Sequence, residues 1–209
     1  NQGEIDLGCF GGVSFVQVYL ESKSAPLVFR DKDIKFTSSF ITKSINSSNG
    51  IRDFKNKSLL FGSKSSTSGH IMPRYFMDIE KIIPETFFSK VEYSGRHDLT
   101  IQLILSGGFD IGVVNSLIIK EMIADGRIEE EDVSVIWETP TYSDYVWATQ
   151  EKMDSMVKVK IRNAFLSLSK DDPIQRSILD KLDGDHFIPA GVHDFSAIIK
   201  IFKEMVSKN

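Results

Sequence analysis

Short apolar runs bounded by turn residues alternate along this chain with stretches whose apolar positions recur three and four residues apart, which predicts strands alternating with helices. Residues 5–10 read as a short buried strand, and after Gly11-Gly12 residues 13–20 read as a helix. Strands are predicted at 25–30, 58–62, 87–93, 109–114 and 133–137, with helices at 71–77, 99–105 and 117–124. From Met153 the period is helical, broken at Pro173, Gly184 and Pro189, and a last amphipathic helix is predicted over 195–206. Such alternation is the pattern of an α/β protein.

One internal repeat organises these elements. Gly3-Glu4-Ile5-Asp6-Leu7-Gly8 matches Gly107-Gly108-Phe109-Asp110-Ile111-Gly112, and each copy leads through a turn into an apolar helix. Two similar lobes are therefore expected. The second lobe spends residues 58–106 ahead of its copy and the first only Asn1 and Gln2. On this reading a strand, helix and strand are missing from the front of the first lobe. The aromatic stretch Trp137-Glu138-Thr139-Pro140-Thr141-Tyr142-Ser143-Asp144-Tyr145-Val146-Trp147 reads as strand, turn and strand, with Pro140 and Tyr142 marking a crossing between lobes.

Composition narrows the function classes. The 209 residues are 41% hydrophobic and 26% charged, the balance of a folded globular protein rather than a disordered one. With 25 Lys and Arg against 29 Asp and Glu, the net charge of −4 argues against a general polyanion binder, so any anion site must be local. No window approaches the ~20 consecutive apolar residues of a membrane span, and Asn1-Gln2-Gly3-Glu4 carries no export signal, so no membrane span is expected. The single Cys9 excludes an internal disulfide and a cysteine-based zinc site.

Three polar loops follow predicted strands. The first, Phe61-Gly62-Ser63-Lys64-Ser65-Ser66-Thr67-Ser68-Gly69-His70, enters a helix whose opening N–H groups, together with Ser and Thr hydroxyls, form an oxyanion cradle that needs no basic residue. A plain Ser helix cap on a flexible loop is the competing reading. Its spacing is wrong for a nucleotide P-loop, which would need Gly at Thr67 and Lys at Ser68. The second, Glu92-Tyr93-Ser94-Gly95-Arg96-His97-Asp98, offers His97 as a donor, and the third, Val114-Asn115-Ser116, an amide and a hydroxyl. In open α/β sheets ligands gather beyond the carboxyl ends of strands, so the three loops together point to one site. Ser68, His97 and Asp98 contain the residue types of a hydrolase triad, but no Gly-x-Ser-x-Gly elbow is present and adjacent His-Asp side chains rarely align as base and orienter. His70, His97, His186 and His193 lack metal-site spacing. Neither an enzyme nor a cofactor is expected.

The blocks Gly3–Gly12, Pro26-Leu27-Val28-Phe29-Arg30-Asp31, Phe61–Arg74, Tyr93-Ser94-Gly95-Arg96-His97-Asp98 and Trp137–Trp147 span roughly the first 150 residues in order. In them the sequence resembles the phosphate/phosphite/phosphonate family of periplasmic substrate-binding proteins of ABC transporters. The resemblance implies a two-lobed type II periplasmic-binding-protein fold, with each lobe a sheet flanked by helices. Lobe 1 is expected over 1–50 and 145–209, incomplete at its start, and lobe 2 over 51–144. It further implies a small phosphorus oxyanion (phosphonate, phosphite or phosphate) held between the lobes, an ABC permease as partner and a periplasmic location. Ser66, Thr67 and Ser68 would hold the oxyanion, His97 would add a donor, and Asn115 would face the rest of the ligand. Tyr93, Phe10 and Phe36 complete the implied site, the two Phe standing where relatives often have Tyr. Relatives that bind aminoalkylphosphonates tend to offer a carboxylate at the place of Asn115, so this chain is expected to favour a plain oxyanion or neutral phosphonate. The alternative is a ligand-sensing domain of a signalling or regulatory protein with the same fold.

Overall fold

The computed structural model describes residues 5–44 and 50–207, with side chains to Lys203. Gly3 and Glu4 of the repeat's first copy lie outside the described residues. The chain divides into two compact units, residues 1–35 with 142–209, and residues 36–141.

Unit 1 carries a four-stranded sheet of β1 (Leu7–Phe10), β2 (Ala25–Arg30), β8 (Val146–Thr149) and β9 (Phe187–Pro189) in the order β1-β8-β2-β9, all neighbours antiparallel. Helix α1 (Gly12–Ser22) buries Val13, Phe15 and Val16 and ends where Lys23 turns left-handed. Phe15 and Phe29 both pack on Phe195, with ring centroids 4.6 and 5.6 Å apart. A second apolar group joins Leu27, Val28, Leu179 and Phe187, and Phe165 packs on Trp147 and Phe187. Helices α6 (Ser155–Leu166) and α7 (Pro173–Lys181) each open on an aspartate, Asp154 and Asp172, whose carboxylate accepts from the first free N–H groups. Helix α8 (Ser196–Ser207) closes the unit. The N-terminus of α1 is filled from within: buried Asp144 accepts from the Gly12 N–H at 2.7 Å.

Unit 2 has a five-stranded sheet in the order β5-β4-β6-β3-β7, formed by β3 (Ser38–Lys43), β4 (Ser58–Phe61), β5 (Lys90–Tyr93), β6 (Ile111–Asn115) and β7 (Val133–Glu138). β4 runs parallel to β5 and β6, and β3 antiparallel to β6 and β7. Both faces are covered. Phe40, Leu59, Phe61 and Val113 contribute to one apolar core with Met77 of helix α2 (Met72–Ile79). Ile41 and Val114 contribute to another with Ile101 and Ile104 of α4 (His97–Leu105) and Ile119 and Met122 of α5 (Ser116–Ala124). A one-turn helix α3 (Pro84–Phe87) precedes β5, which shortens the strand expected over 87–93.

The first passage between units lies at Lys35 and Phe36, ahead of the boundary expected at residue 50, because β3 hydrogen-bonds into the unit 2 sheet. The return lies at Thr141 and Tyr142, inside the aromatic stretch. The described part of the repeat corresponds to two strand-to-helix steps, β1 into α1 and β6 into α5. Their settings differ: β6 lies between β4 and β3, whereas β1, among the described residues, lies at the sheet edge beside β8.

Candidate functional site

In unit 2 the three parallel strands finish together. Phe61 at the end of β4 is level with Tyr93 at the end of β5, and β6 runs in the same direction beside them to Asn115. The loops that leave these ends therefore emerge on one side of the sheet, and each opens a helix.

After β4 the chain turns through Ser63–Ser66 into a π-helical turn, Thr67–Ile71, which runs on into α2. The wide turn is set by bonds five residues apart, Ile71 N–H to the Ser66 carbonyl and Met72 N–H to the Thr67 carbonyl. Single π turns inside α-helices recur at functional sites because they open the helix locally. Ser66 is the cap. Its Oγ accepts from Gly69 N–H at 2.9 Å, which leaves its own hydroxyl proton to donate elsewhere. Thr67, Ser68 and Gly69 are buried. Gly69 returns to the strand end, its carbonyl accepting from Gly62 N–H at 2.8 Å.

His97 opens α4 and joins the other two loops. Asn115 N–H donates to His97 Nδ1 at 3.3 Å, so the proton of the neutral ring sits on Nε2, and Nε2 lies 3.5 Å from Ser68 Oγ. Burial holds His97 below the usual histidine range, so the ring acts as a neutral donor. Asn115 caps α5, its Oδ1 accepting from Leu117 N–H at 2.9 Å, which turns its NH2 group into the donating end. Ser116 Oγ is engaged by Thr37 and Ser39 at 2.8 and 2.7 Å and belongs to a hydroxyl cluster at the start of β3 that reaches the Glu138 carboxylate through Thr37.

The structure thus brings together Ser66, Thr67, Ser68, His97 and Asn115, donors drawn from three loops with no carboxylate among them. Such a set complements an oxyanion by N–H and O–H groups and by the positive ends of helices. Asp98 is turned away, paired with Arg96 and bonded to Leu99 N–H, so it does not orient His97 as a triad would need. Tyr93 has another setting: its hydroxyl lies 3.1 Å from His70 Nε2 and 3.3 Å from Arg74 Nη2. Phe36 is buried in unit 2, and Phe10 is half-buried on β1 of unit 1. Among the described residues no group of three His, Cys, Asp or Glu gathers to hold a metal, and no helix is long and apolar enough to cross a membrane.

Two imidazoles give a pH signature, His70 buried and His97 half-buried, since desolvation lowers the pKa of both. The unfolded chain takes protons below about pH 6.5 and the folded one does not, so this contribution is complete above that value and is lost as pH falls through the folded-state pKa values. The melting temperature is expected to fall between pH 7.5 and 5.5, and His97→Gln to flatten that fall. Parallel profiles for the two proteins in thermal melts would contradict it.

Comparison with known proteins gives a consistent family. Residues 1–195 match the family of ABC transporter, phosphonate, periplasmic substrate-binding proteins. A probable ABC transporter phosphite binding protein of Prochlorococcus marinus, PhnD1, is 30% identical over 97% of this chain and 72% of its own length. The structure of PhnD1 in complex with methylphosphonate superposes with a TM-score of 0.85, covering 97% of this chain and 79% of that one. The phosphonates-binding periplasmic protein of Escherichia coli is 21% identical over 97% of this chain, which spans 62% of that relative's length. The chain belongs to this family of transporter substrate-binding proteins, which are not enzymes.

Proposed function

We propose that this member of the phosphonate substrate-binding family captures a small phosphorus oxyanion at the Ser66–Ser68 turn and delivers it, in the periplasm, to the permease of an ABC importer. The observation that carries the reading is His97, whose ring joins the Ser-rich turn to the end of β6 and presents Nε2–H among hydroxyl donors. The relative bound to methylphosphonate supports the ligand class. Each hydrogen bond to a charged oxygen contributes about 1.5–3 kcal/mol, so three or four support micromolar or tighter affinity after the cost of association. No step of covalent chemistry is involved.

Asn115 sharpens the class. It offers an amide where an ammonium-bearing ligand would want a carboxylate, so phosphite, methylphosphonate and phosphate are favoured over 2-aminoethylphosphonate. Titration calorimetry with these four and with sulfate tests the reading. At least one of the three plain phosphorus oxyanions is expected to bind, and heat from none of them would overturn it. Asn115→Asp keeps the cap on α5, because Asn and Asp cap helices equally well. Its expected effect is therefore one of charge alone: about five- to tenfold weaker binding of a plain anion at low salt, with an unchanged melting temperature. Equal or tighter affinity in the same titration would remove Asn115 from the site.

A further inference from the structure

Beneath the Ser-rich turn lies a buried histidine that the oxyanion reading leaves without a role. His70 sits inside the π turn with 9% of its surface exposed, packed against Phe61 and edge-on to Tyr93, with ring centroids 5.0 and 4.9 Å away. Its tautomer follows from its neighbours. Arg74 Nε can only donate, and it lies 3.1 Å from His70 Nε2, so Nε2 carries the lone pair. The proton is therefore on Nδ1, which donates to the Lys64 carbonyl at 2.8 Å. Tyr93 hydroxyl, 3.1 Å from the same Nε2, is a second donor to it. Arg74 is held in turn by Glu85, with Nη1 and Nη2 donating to the two carboxylate oxygens at 3.0 and 2.7 Å.

We infer that His70 is a positioning residue for the oxyanion cradle, pinning the Lys64 carbonyl and with it the loop into Ser66–Ser68, and that Arg74 and Tyr93 act through it by fixing its tautomer. The relay runs from α3 through α2 and β5 to the loop: Glu85 orients Arg74, Arg74 and Tyr93 present donors to Nε2, and Nδ1–H can then only face outward to Lys64. Burial lowers the His70 pKa, and the guanidinium of Arg74 and ammonium of Lys64 oppose a second proton, against the bond to the Lys64 carbonyl and the carboxylate of Glu85. The neutral tautomer thus persists into mildly acid solution. Tyr93, expected from the sequence to touch ligand, is given a supporting place one step behind it. Lys64 Nζ lies over the Tyr93 ring at 5.3 Å, a second tie between loop and β5.

The inference rests on the oxyanion reading, and its test separates the two. Phosphite and methylphosphonate are titrated into the wild-type protein and into Thr67→Ala, His70→Ala, His70→Asn and Tyr93→Phe, each also followed by thermal melts. His70→Ala is expected to weaken binding about tenfold or more, and His70→Asn, whose amide NH2 can donate to the Lys64 carbonyl from near the place of Nδ1, to recover to within about threefold of wild type. Tyr93→Phe should weaken binding about two- to fivefold, since Arg74 still sets the tautomer. Should His70→Ala fail to fold, the contrast of His70→Asn and Tyr93→Phe with wild type decides the matter. Loss in Thr67→Ala with unchanged binding in His70→Ala overturns the positioning role and leaves the site intact. So does a folded His70→Asn as weak as His70→Ala. No binding by wild type overturns the site itself.

Discussion

Gly69→Ala is expected to weaken phosphite or methylphosphonate binding by about thirtyfold, equivalent to ~2 kcal/mol. A Cβ at this position would lie 3.0 Å from His97 Cε1, 3.0 Å from Ser66 Oγ and 3.1 Å from Gly62 Cα. The Gly62 backbone is tied to Gly69 itself by the bond from Gly62 N–H to the Gly69 carbonyl. What yields is then the imidazole and the cap hydroxyl, the two groups that the proposed cradle would aim at its ligand. The bond from Asn115 N–H to His97 Nδ1, already 3.3 Å long, has little length to spare. Affinity should therefore fall further than stability. Calorimetric titration beside a thermal melt reads the two separately, and a Gly69→Ala protein that binds like wild type would show that neither His97 nor Ser66 touches the anion.

The second large effect is on stability. Gly112 lies on β6 where α4 crosses it, and a Cβ there would come within 2.7 Å of both Thr100 Cγ2 and Ile104 Cγ1, two fully buried side chains. Overpacking of this kind costs about 2–3 kcal/mol, and a melting temperature lower by about 6–10 °C is expected for Gly112→Ala. Thr100→Ser removes the clashing methyl and keeps the hydroxyl that bonds Ser94 Oγ at 2.6 Å and the Arg96 carbonyl at 3.0 Å. The double variant should regain about 1 kcal/mol, a coupling that a thermodynamic cycle measures directly. Additive losses would mean that the contact between α4 and β6 is looser than the geometry indicates. The same close approach brings the start of α4 beside the end of β6, so Gly112 also sets the reach of His97 to Asn115.

Much of this was legible in the chain because the α/β pattern is loud where strands are apolar and helices follow at once. β2, β4, β6 and β7, and the helices after β4, β5 and β6, stand where periodicity puts them, and the polar loops between them are where donors collect. What stayed hidden has a physical reason in each case. β3 is almost wholly buried, yet it reads Ser-Ser-Phe-Ile-Thr-Lys. Its polar groups are satisfied from far along the chain, Ser38 N–H by Thr139 Oγ1, Ser39 by Ser116 and Thr42 by the Asp110 carbonyl. No local window carries that information, so neither β3 nor its place in the unit 2 sheet shows in the sequence pattern. β9 has only three residues and ends on Pro189, too short for a period to show. The role of His70 depends on Lys64, Arg74 and Tyr93 at once, from three different elements, whereas Ser66 and Asn115 are caps that sequence reveals by position alone.

That Asn115 is a cap has a consequence for how such a site can change. The residue holds the first turn of α5 with one end of its amide, and on the proposed function the other end serves the ligand. A substitution that abandons the cap costs about 1 kcal/mol, so the position favours the few side chains that can accept from Leu117 N–H: Asn, Asp, Ser and Thr. Within that small alphabet Asn and Asp have nearly the same shape and differ by a full charge, and their codons differ by a single nucleotide. On the role proposed for Asn115, a preference between a bare oxyanion and one with a cationic tail is therefore one mutational step away, with the helix cap kept along the path.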